Sequence, residues 1–169
     1  MGTQWGMSRT LLGMYLNEHL AGATTCVDLA QRLALTEGEW AGNGKLERIA
    51  EEVRHDRAAL VETMAALGEP VRRLEQWAGM AGARIGRLRP NGRVVAQSPL
   101  SRVMDLEQLR LGIEAKVAAW RALRARVTVD SRLDKGRLDE LIAGGRSQIT
   151  RLERLRSRAA DELLGGALG

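Results

Sequence analysis

The chain has 169 residues, 44% of them hydrophobic and 28% charged, a balance ordinary for one globular domain long enough to bury its own core. The net charge of +5 is too small to argue by itself for nucleic acid, and no apolar run approaches the roughly 20 residues of a membrane span. A single cysteine, Cys26, rules out an intrachain disulfide, and the opening MGTQWGMSRT has no basic patch followed by an apolar stretch, so no secretory signal is read and a cytoplasmic protein is expected.

The spacing predicts a first helix over 8–35, with Ser8 as its N-cap. Leu12, Leu16 (or Tyr15), His19, Ala23, Cys26 (or Val27), Ala30 and Leu33 recur at intervals of three and four, which is one helical face. Cys26 falls on that face as a small buried hydrophobe. Thr36-Glu37-Gly38 and Gly42-Asn43-Gly44 read as a loop. A second helix is expected over 45–67, with Leu46, Ile49, Val53, Leu60, Met64 and Leu67 as its stripe and Asp56 interrupting it. Gly68-Glu69-Pro70 stops this helix. A short helix is expected over 70–85, then a loop or small hairpin over 88–99 around the turn Pro90-Asn91-Gly92. A long helix over 100–127 follows, with Val103, Leu106, Arg110 (or Leu109), Ile113, Val117, Trp120, Leu123 and Val127 on one side. The last helix, over 131–164, carries Leu138, Leu141, Gly145, Gln148 (or Ile149), Leu152, Leu155, Ala159 and Leu163.

The fold class is therefore all-α: a four-helix bundle forming a single domain over 1–169. Phe is missing and Tyr occurs once beside four Trp, so Leu and Ala must fill the core, which suits helices better than sheets. Basic residues are almost all Arg, Lys45, Lys116 and Lys135 being the lysines, a bias that suggests a GC-rich bacterial genome. Short loops make the first and second helices antiparallel, and likewise the third and fourth. The link over 68–99, counting both ends, is 32 residues, far more than neighbours in a bundle need. Its short helix covers roughly 24 Å, and with the loop it can span the bundle as one long crossover, giving an up-down-down-up order. The alternative is a plain up-down bundle with a decorated loop.

Near the midpoint of each long helix a polar side chain sits on or beside the apolar face. These are Glu18 and His19, then Glu52, His55 and Asp56, then Arg110 and Glu114, then Gln148. Buried charge must be paired or ligated. Two explanations stay open: a hydrogen-bonded network in which His19, Asp56, Arg110 and Gln148 take part, or a metal held by Glu18, Glu52, His55 and Glu114.

In this arrangement the chain resembles the ferritin-like superfamily, whose bundles carry a Glu on each of two helices and Glu-x-x-His on the other two. Glu52-Val53-Arg54-His55 matches Glu-x-x-His, and Glu18 and Glu114 stand where the single carboxylates belong. The fourth helix departs from the pattern: Gly144-Gly145-Arg146-Ser147-Gln148-Ile149-Thr150-Arg151 has neither a carboxylate nor a histidine. The resemblance thus implies a ferritin-like bundle with a degenerate metal site. The expected role is that of a non-enzymatic structural or interaction protein without a cofactor. The alternative is a metal-binding protein of oxidase or stress-protective type, with iron or manganese as the metal. A weaker alternative is nucleic-acid binding through Arg84, Arg87, Arg89 and Arg93, or Arg146, Arg151, Arg154, Arg156 and Arg158, though no aromatic residues interleave with them. Trp5, Trp40 and Trp77 lie off the stripes or near helix ends, and a homodimer is expected.

Overall fold

The computed structural model describes residues 2–72 and 98–165, with side chains from residue 11 onward. Among the described residues the chain forms four helices and no strand: α1 (Gly2–Ala41), α2 (Lys45–Leu67), α3 (Pro99–Arg124) and α4 (Lys135–Gly165). Most of the short helix expected over 70–85 and of the loop over 88–99 lies outside the described residues; 70–72 are described and are not helical.

Several predicted boundaries are corrected. α1 begins at Gly2, so Ser8 is not its N-cap, and it runs through Thr36-Glu37-Gly38 to Ala41. Tertiary contact explains the continuation. Glu37 is buried and accepts from Arg102 Nε at 2.6 Å. A Cβ on Gly38 would stand 2.5 Å from Glu47 Oε1, so the glycine is kept for close approach to α2 rather than for a turn. The chain reverses instead at Gly42-Asn43-Gly44, whose φ angles of 71°, 54° and 61° are all left-handed. α2 closes at Gly68, φ 70°, where Gly68 N–H donates to Ala65 O and Glu69 N–H to Met64 O, an αL cap as expected from the sequence. α3 starts at Ser98-Pro99, the Ser98 hydroxyl accepting from Ser101 N–H at 3.1 Å, and ends at Arg124 rather than 127. α4 starts at Lys135 rather than 131. Asp130 accepts the backbone N–H of Arg132 in a turn that competes with helix, and Asp134, accepting from Arg137 N–H three residues on, caps α4 where it starts.

Cross-helix pairs fix the directions. Glu37–Arg102 and Arg32–Asp105 run in opposite order along α1 and α3, which makes these helices antiparallel. Arg124–Asp139 and Arg102–Glu162 do the same for α3 and α4. Arg151–Glu52 and the bond from Arg132 to Leu67 O set α4 against α2. The tight turn at 42–44 reverses α2 on α1, so α2 and α3 point the same way.

The core is in two parts. One, towards the Gly42 turn, gathers Leu33, Ile49, Leu106, Ile113 and Leu152. The other, towards the opposite end, gathers Leu16, Met64, Trp120, Leu123 and Leu138. Glycines let the helices close at mid-height. A Cβ on Gly112 would collide with Cys26 Sγ, and one on Gly145 with Val117 Cγ2.

Candidate polar centre and the recess above it

Between the two half-cores lies one polar layer. Lys116 Nζ of α3 donates to Asp56 Oδ2 of α2 and, at 2.8 Å, to Gln148 Oε1 of α4. Gln148 Nε2 donates to the same Asp56 Oδ2 at 2.9 Å. Relative exposure is 6% for Asp56, 8% for Lys116 and 2% for Gln148, so the three groups have left water and depend on one another. The helices deliver them from matching heights: Asp56 follows Val53, Lys116 lies between Ile113 and Val117, and Gln148 precedes Leu152, all core residues. Gly145 makes room for the lysine stem, since its missing Cβ would sit 4.0 Å from Lys116 Cε.

Above this layer α2 and α4 leave an open recess of about 420 Å³. Asp56 and Gln148 line it, with Glu51, Glu52 and His55 on the α2 side and Arg137 and Glu140 on the α4 side. Arg151 forms a two-pronged ion pair with Glu52, and His55 Nε2 lies 3.3 Å from Arg137 Nη2. The rim thus mixes both signs. The ammonium below it is engaged by a carboxylate and an amide oxygen, an arrangement suited to holding helices rather than to nucleophilic attack.

The residues singled out from the sequence separate accordingly. Asp56 and Gln148 belong to the buried triad. His19 does not: it is half-buried on α1, edge-on to the Tyr15 ring at 4.5 Å, and burial lowers its pKa against the opposing influence of Glu18. Arg110 also lies outside it. Its guanidinium sits on the α3–α4 flank, 3.1 Å from both Glu114 and Glu153, and Leu109 takes the buried slot. Of the four candidate metal ligands, Glu52 and His55 share the recess. Glu18 and Glu114 are exposed and do not line it, and Glu114 is paired with Arg110. Among the described residues no group of three or more His, Cys, Asp or Glu is arranged to hold a metal ion.

Sequence reasoning missed Lys116. The signal was available in its spacing, since Leu109, Ile113, Lys116, Trp120 and Leu123 form one uninterrupted stripe of fours and threes. Cys26, by contrast, is buried in the core, and burial pushes its thiol pKa up, with Lys116 opposing.

Of the helix-four arginines, Arg151, Arg156 and Arg158 are paired with Glu52, Glu153 and Glu162, while Arg146 and Arg154 are exposed. Arg84, Arg87, Arg89 and Arg93, with Trp77, lie outside the described residues, as does the side chain of Trp5. Trp40 is sandwiched between Arg102 and Arg158, each 4.5 Å from its ring centre, and its indole N–H donates to Glu162. That stack ties α1, α3 and α4 together at the end near the Gly42 turn. The chain matches no known family, and no characterised protein or solved structure proved similar to it.

Proposed function

We propose that this chain is a ferritin-like bundle whose central site has become a metal-free polar layer, and that it acts as a structural or interaction protein rather than an enzyme. The observation that carries this reading is Lys116. Its ammonium stands at mid-height, between a carboxylate of α2 and an amide of α4, where a carboxylate bundle would hold its cation. The shared direction of α2 and α3 supports the ferritin-like order, which needs one crossover along the bundle. A cation of fixed charge and position neutralises Asp56 without any ion from solution.

The metal-binding alternative draws on Glu52 and His55 facing one recess, but Glu52 already spends both oxygens on Arg151. Elemental analysis of the purified protein, followed by titration with iron or manganese, separates the two readings. No stoichiometric metal is expected. A stoichiometric ion that is lost in His55→Ala would overturn the proposal.

A further inference from the structure

We draw no further inference here: the strongest candidate, the recess between α2 and α4 over Asp56, belongs to the polar centre already described, and its carboxylates Glu51, Glu52 and Asp56 are already paired with Arg54, Arg151 and Lys116.

Discussion

Lys116 sits 8% exposed with its charge balanced by Asp56, which is 6% exposed at the floor of the recess between α2 and α4. Removing one member of such a pair strands the other. Lys116→Met should therefore cost about 3–5 kcal/mol of stability, measured by urea unfolding, because Asp56 keeps its burial and loses its counter-charge. Unchanged stability would mean that Asp56 is hydrated through the recess instead. A second residue-level expectation concerns Asp130. Its carboxylate accepts from Arg132 through both side chain and backbone, and the side-chain bond is the main cause of a pKa lowered from 3.8 to about 2. A carboxylate whose pKa is depressed by folding contributes stability above its unfolded value, and loses it as pH falls through the folded one. The Asp130 contribution is thus complete above about pH 4 and fades towards pH 2. Comparing Asp130→Asn with the parent by thermal melts should show a deficit at neutral pH that narrows over that window. A deficit independent of pH would mean that the carboxylate charge is not what the turn uses.

At the scale of the elements, two seams depend on a missing Cβ. Gly112 of α3 rests on Cys26 of α1, and Gly145 of α4 on Val117 of α3. Gly112→Ala should destabilise by about 1–3 kcal/mol in denaturant melts, because the helices must part or the thiol must move within a packed core. Cys26→Ala should restore much of that loss, giving a coupling that a propensity effect could not produce. Gly22 is the control. Nothing stands within 4 Å of its would-be Cβ, so Gly22→Ala should stabilise by about 0.5–1 kcal/mol through helix propensity alone. If Gly112→Ala behaved as Gly22→Ala does, α1 and α3 would not be in close contact there. The same seams explain why element ends were harder to read than element identity. Gly38 is a glycine of close approach and Glu37 a buried ion-pair partner, yet both carry the composition of a loop. Asp130 and Asp134, conversely, lie among residues with good helical spacing, yet Asp130 holds a turn by a local hydrogen bond and Asp134 sets the helix start three residues before Arg137.

For the molecule as a whole, the bundle was legible because its stripes are long and each needs a partner to bury it. The existence of a polar layer was legible too, since Asp56 and Gln148 stand where apolar residues would continue the pattern. Its membership was not. Periodicity places a side chain on a face to within one position, which left Arg110 and Leu109 interchangeable on paper; the core took the leucine and the flank took the arginine. A lysine with an apolar stem merges into a stripe edge, and only its partners on two other helices show that its charge points inward. The candidate metal ligands were chosen by the same periodicity, and three of the four, Glu18, His55 and Glu114, are exposed.

A core filled mostly by Leu, Ala, Val and Ile, with no Phe anywhere in the chain, has a consequence of its own. Away from Trp120 and the glycine seams, side chains so alike in size do little to stop one helix sliding past another by a turn, about 5.4 Å. The Lys116–Asp56–Gln148 layer removes that degeneracy, because any such slip parts the ammonium from its carboxylate inside an apolar interior. The triad works as a detent: beside the glycine seams, a charged tooth indexes two greasy half-cores to one axial setting.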